Sequence, residues 1–199
     1  MTPALLLAFA GFAFVSSITP GPNNTMLLAS GANYGFRRTV PHIAGISLGC
    51  MAMLLVVGLG LGQAFAAVPL LYDVLRCAGA AYLLWLAWKI ATAGTVRDHG
   101  AGSGRPLTFW QAAAFQWVNP KACVMVVGAA STYAPRDDFG RGVVVLAALL
   151  GLVNAPSICV WAGFGTALRP WLSQPRRVRV FNVGMALLLV LSLLPMLLT

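Results

Sequence analysis

The sequence predicts an all-α integral membrane protein with six transmembrane helices arranged as two inverted three-helix repeats. Three observations carry that expectation. Of the 199 residues, 59% are hydrophobic and only 9% charged, too few polar side chains to coat a soluble domain. The apolar residues fall into six runs joined by short polar or basic connections. The first run of each half is interrupted by proline, at Pro20-Gly21-Pro22 and at Asn119-Pro120-Lys121.

The first span, residues 4–31, lies within an uncharged run from Pro3 to Tyr34, more than the about 20 residues that cross a bilayer. It has no basic leader, so a retained span is expected rather than a cleaved signal peptide. Pro20 and Pro22 lack a backbone donor and Gly21 has no side chain, so a continuous helix should break there. A break at membrane depth frees backbone groups that lipid cannot satisfy, and is tolerated only where it is buried in protein or lines a wet cavity. Asn23 and Asn24 would then face that cavity. The alternative is that the prolines merely close the first helix at the interface.

The second span, residues 43–68, carries Gly45, Ser47, Gly49, Ala52 and Gly58, small residues that let a neighbouring helix approach closely. His42 stands at its mouth and is expected to be solvated, the competing reading being a proton relay. The third span, residues 74–88, ends in Tyr82, Trp85, Trp88 and Lys89, an interfacial closure. Asp73 and Arg76, one turn apart, suit a local ion pair. Residues 92–106 shift to Gly, Ser, Arg, Asp and His and read as an exposed linker between the halves.

The fourth span, residues 107–132, contains Gln116, Asn119, Pro120 and Lys121. Trp110 fits an interfacial belt, whereas Trp117 is too deep for one and should pack against the site. The fifth span, residues 142–168, is expected to be interrupted at Asn154-Ala155-Pro156. The sixth covers residues 180–199. Cys50, Cys77, Cys123 and Cys159 all fall in apolar runs without the paired spacing of a metal or redox site, and are expected as buried free thiols.

The net charge of +9 follows membrane orientation rather than nucleic-acid binding, because the basic residues sit in connections and not along one face. The first, third and fifth connections hold nine Lys and Arg, against two in the second and fourth. Short basic loops stay cytoplasmic, so both termini are expected outside and the linker inside. Three spans per half then make the second half enter the bilayer from the opposite side, as inverted repeats do, with paired broken helices building a midplane site.

Lys121 is 14 residues past Leu107 and 11 before Thr132, so at about 1.5 Å per residue it lies about 16 Å or more from either end of the span. A lysine at that depth calls for a polar cavity and a partner. A span that begins later would instead leave Lys121 near the surface. The candidate substrate-binding set is Pro20, Gly21, Pro22, Asn23, Asn24, Gln116, Asn119, Pro120, Lys121, Asn154 and Pro156. An intramembrane enzyme would need a nucleophile with its base or paired carboxylates, and the chain has no Glu at all. A divalent-metal exporter on the same scaffold would need clustered ligands, which the spacing does not offer. No cofactor or metal is expected.

Thr19-Pro20-Gly21-Pro22-Asn23-Asn24, Gly35-Phe36-Arg37-Arg38 and Gly45-Ile46-Ser47-Leu48-Gly49 resemble, in order and spacing, the amino-terminal signature of the LysE/RhtB family of amino-acid exporters. Gly79-Ala80-Ala81-Tyr82-Leu83 with Trp85 to Ala91 resembles that family's third span. Phe109-Trp110 and Phe115 to Lys121 resemble its fourth. The resemblance implies a multi-pass exporter of small neutral amino acids, of the cysteine/O-acetylserine or threonine/homoserine type, in a bacterial inner membrane. It further implies coupling to an ion gradient, with the proton as coupling ion, and leaves homo-oligomerisation open. Consistently, no Gly-rich phosphate loop is present.

Overall fold

The computed structural model describes residues 1–61, 69–92, 105–135 and 137–191. Most of the expected linker, the end of the second span and residues 192–199 of the sixth lie outside them, as do the side chains of Asp73 and Arg76. The described residues form eight α-helices and no strand.

Helix α1 (Pro3–Ile18) starts with Thr2 capping the Leu5 amide and Pro3 at the first helical position, where a missing N–H costs nothing. It stops because Thr19 precedes Pro20 and is held extended, at φ −67° and ψ 146°. Helix α2 (Pro22–Tyr34) restarts on Pro22, bent by 55° from α1. Gly35, at φ 84°, makes the left-handed turn that lets α3 (Phe36–Val56) follow with no further linker. A wider turn, Val57–Leu61, extends α3.

Helix α4 (Pro69–Ala91) precedes α5 (Phe109–Phe115), which opens with a reciprocal capping box between Thr108 and Gln111. A short 3₁₀ turn, Gln116–Val118, carries the chain to Asn119, which caps α6 (Pro120–Tyr133). Helix α7 (Phe139–Ala167) and helix α8 (Pro175–Leu191) complete the bundle.

Long α7 is the central post, packed against α1, α2 and α3. Its approach to α2 is backbone to backbone: a Cβ on Gly31 would strike the Ala162 carbonyl, and one on Gly165 the Leu28 carbonyl. Gly45 and Gly49 do the same for α3 on α5, where a Cβ on Gly49 would lie 2.8 Å from Ala113 Cα. The small-residue face expected on the second span is therefore used. Helix α4 packs on α8 through Leu83, Leu86, Ala87, Ala186 and Leu189.

Polarity is inverted relative to a soluble domain. Large apolar side chains such as Leu7, Trp110, Val124 and Leu152 point outward, each more than 70% exposed, while Asn24, Thr39, Gln116, Asn119, Asn154 and Asn182 are buried. Among the described residues α3 with its extension and α7 are each long and apolar enough to cross a bilayer, and the bent pair α1–α2 is a third crossing if taken as one span.

Three expectations are corrected. Helix α7 is not interrupted at Asn154-Ala155-Pro156; it runs through Pro156 as one piece. His42 is buried rather than solvated, because α3 begins at Phe36 and places it nearly two turns inside. Of the four cysteines only Cys50 is fully buried; Cys123 and Cys159 are half-buried and Cys77 is exposed.

Candidate functional site

Breaking a helix at Thr19 leaves the last carbonyls of α1 without helical donors, and each needs one from elsewhere. Val15 O and Ser16 O accept from the amide and hydroxyl of Thr19. Asn24 Nδ2 donates to Ser17 O and to Thr19 O, both at 2.7 Å. Trp161 Nε1, from α7, donates to Ile18 O at 3.0 Å. Lys121 Nζ, from α6, donates to Thr19 O at 2.6 Å, to Thr19 Oγ1 at 2.8 Å and to Pro20 O at 3.3 Å. The carboxyl end of α1, its negative pole, thus holds an ammonium.

Gly21 makes that approach feasible, since a Cβ there would lie 2.7 Å from Lys121 Cδ. On the other side Asn119 caps α6 by accepting the Lys121 amide at 3.2 Å. The amino ends of α2 and α6, both positive poles, therefore meet the carboxyl end of α1 in one place.

Polar side chains fix this junction from the surrounding helices. Asn23 and Gln116 exchange two amide hydrogen bonds, at 2.8 and 3.2 Å, and Gln116 Nε2 also reaches Ala112 O at 2.8 Å. Cys50 Sγ approaches Gln116 Oε1 at 3.5 Å. Asn154 Nδ2 donates to Ser17 Oγ and Asn154 Oδ1 accepts from Ser47 Oγ, each at 2.9 Å. Helices α6 and α7 and the turn at Gln116 are thus bonded to the broken helix at this junction, and α3 joins them through Ser47 and Cys50.

Between them lies a partly open cleft with about 340 Å³ of empty space, counting the part open to solvent. Its polar lining comes from Ser16, Ser17, Asn23, Asn24, Asn119, Lys121 and Asn154, with Ala122, Met125 and Ile158 as the apolar wall. Among the described residues no acidic side chain lines it.

Of the residues named from sequence, Gly21, Asn23, Asn24, Asn119, Lys121 and Asn154 come together around the cleft, and buried Gln116 stands behind Asn23. Pro20 contributes its carbonyl, while Pro22 and Pro120 start α2 and α6. Pro156 does not join them. In an unbroken helix two residues are about 200° apart, so Asn154 facing inward turns Pro156 outward, where it is exposed. Thr19, Cys50 and Trp161 were missed: Thr19 sits inside the break motif, whereas nothing local marks Trp161 as a donor to Ile18.

The family description LysE type translocator matches residues 14–194. The chain belongs to the LysE family. Relatives similar over 96% of both chains include cysteine/O-acetylserine efflux proteins of Escherichia coli (strain K12) and Shigella sonnei (strain Ss046), each 37% identical. No solved structure matches.

Proposed function

We propose that this chain is a secondary-active exporter of small neutral amino acids, of the cysteine/O-acetylserine type, in the bacterial inner membrane, coupled to the proton gradient. The observation that carries this is the ammonium of Lys121 held on the carbonyl oxygens of Thr19 and Pro20, in a cleft that no carboxylate lines among the described residues. A zwitterion complements both halves of that pair. Its carboxylate takes Lys121 and the amino ends of α2 and α6, and its α-ammonium takes the carbonyl oxygens that Lys121 releases. The single apolar wall of Ala122, Met125 and Ile158 favours a short side chain.

Two inverted three-helix repeats give this site its architecture. The α1–α2 break belongs to one half and the α5–α6 break to the other, and the last helices of the two halves, α4 and α8, pack on each other. The excess of Lys and Arg in the odd-numbered connections supports both termini outside.

Overproducing cells should release more cysteine or O-acetylserine than controls. Release should collapse when an uncoupler dissipates the proton gradient and persist when ATP is depleted with the gradient held. Protection against excess metal without amino-acid release, or dependence on ATP alone, overturns the proposal.

A further inference from the structure

His42 is 1% exposed, and it is the one buried side chain among the described residues whose nitrogens have no hydrogen-bond partner. It lies on α3 between the Arg37–Arg38 end and the cleft: Gly45 and Gly49, on the following turns, face α5, and Cys50, eight residues or about 12 Å further along, lines the cleft. The titratable or charged residues on the elements packed against α3 are Tyr34 on α2, Lys121, Cys123 and Tyr133 on α6, and Arg141 and Cys159 on α7; α3 itself adds Arg37, Arg38 and Cys50. None of them bonds the imidazole.

Histidine is the side chain that changes charge near neutral pH. A second proton on a buried, unpartnered ring is costly, so the ring accepts one only in a conformation that wets it or gives it an acceptor. A group of this kind distinguishes two conformations by protonation. Lys121 is differently placed, since its ammonium is already committed to three oxygens of the break. Asp137 and Asp138 are exposed, so no described carboxylate lies inside the bundle.

We propose that His42 carries the coupling proton. The inference rests on the proton-coupled export proposed above. The ring takes one proton in the conformation open to the outside and releases it to the cytoplasm in the conformation open inward. One neutral zwitterion leaves in exchange, with no bond formed to substrate and one positive charge moved inward per cycle.

The test compares wild type and His42→Gln in proteoliposomes, with labelled cysteine kept reduced. With an acidic lumen, wild type should accumulate cysteine, and His42→Gln should fall to the level seen without a gradient. Counterflow, in which labelled cysteine exchanges for unlabelled cysteine at equal pH, should continue in His42→Gln near the wild-type rate. Gradient-driven accumulation by His42→Gln overturns the assignment. Loss of counterflow in both His42→Gln and His42→Asn makes the ring structural and overturns it equally. Accumulation by wild type that ignores the pH gradient would instead remove proton coupling from the proposed function.

Discussion

Lys121 Nζ lies 2.6 Å from the carbonyl oxygen of Thr19, a contact across 102 positions of sequence that joins the interruption of one half to that of the other. A hydrogen bond to a charged group contributes about 1.5–3 kcal/mol, or about ten- to a hundredfold in an equilibrium. Lys121→Met keeps length and removes charge. It should abolish cysteine export while inserting normally, and Lys121→Arg, which keeps charge but not shape, should be impaired. Wild-type efflux by Lys121→Met in the cellular assay would remove the residue from the site.

Asn23 and Gln116 satisfy each other, so the pair should behave as a unit. Gln116→Leu alone leaves the Asn23 amide facing an apolar group and should lower stability by about 1–3 kcal/mol. Asn23→Leu together with Gln116→Leu should cost less than the two single changes summed. Thermal unfolding of the four proteins in detergent measures the coupling, and strict additivity would mean that the two amides do not interact.

Close packing of α2 on α7 sets a different expectation. Gly31→Ala and Gly165→Ala each push a methyl group into opposing backbone and should destabilise by about 1–3 kcal/mol or more. Gly163→Ala is the control on the same helix, because a Cβ there meets nothing within 4 Å. Equal melting temperatures for all three would contradict the crossing.

Orientation can be read by thiol labelling of a variant with its four native cysteines replaced. A cysteine at Asp138 should react with a membrane-impermeant reagent in intact cells, and one at Gln174 should react only after the cells are opened. The reverse pattern would invert the proposed topology.

The helical, membrane-embedded character was legible because it follows from composition and from the spacing of apolar runs. The first break was legible too, since two prolines flank a glycine and no helix continues through them. Pro156 misled because one proline inside a long, well-packed helix removes a single hydrogen bond and α7 absorbs it. Asn154 was found from the same tripeptide because an amide in an apolar run has few places to go but inward. Partners were the illegible part: nothing near Trp161 or Ser47 tells that one reaches Ile18 and the other Asn154. His42 misled through its neighbours, since Arg37 and Arg38 suggested an interface that the turn of α3 leaves behind.

The donors that quiet the first break arrive late in synthesis. Of those reaching in from other helices, Lys121 is made about a hundred residues after Thr19 and Trp161 follows Ile18 by 143 positions. At about 5–20 residues per second that is a wait of several seconds to half a minute, during which the carbonyls of Ile18 and Pro20 have no protein donor. The amino-terminal half made alone should therefore be a substrate for membrane quality control, and its half-life in a pulse-chase should lengthen when residues 105–199 are supplied as a separate chain. An amino-terminal half that persists equally well by itself would show that the break can wait without its partner.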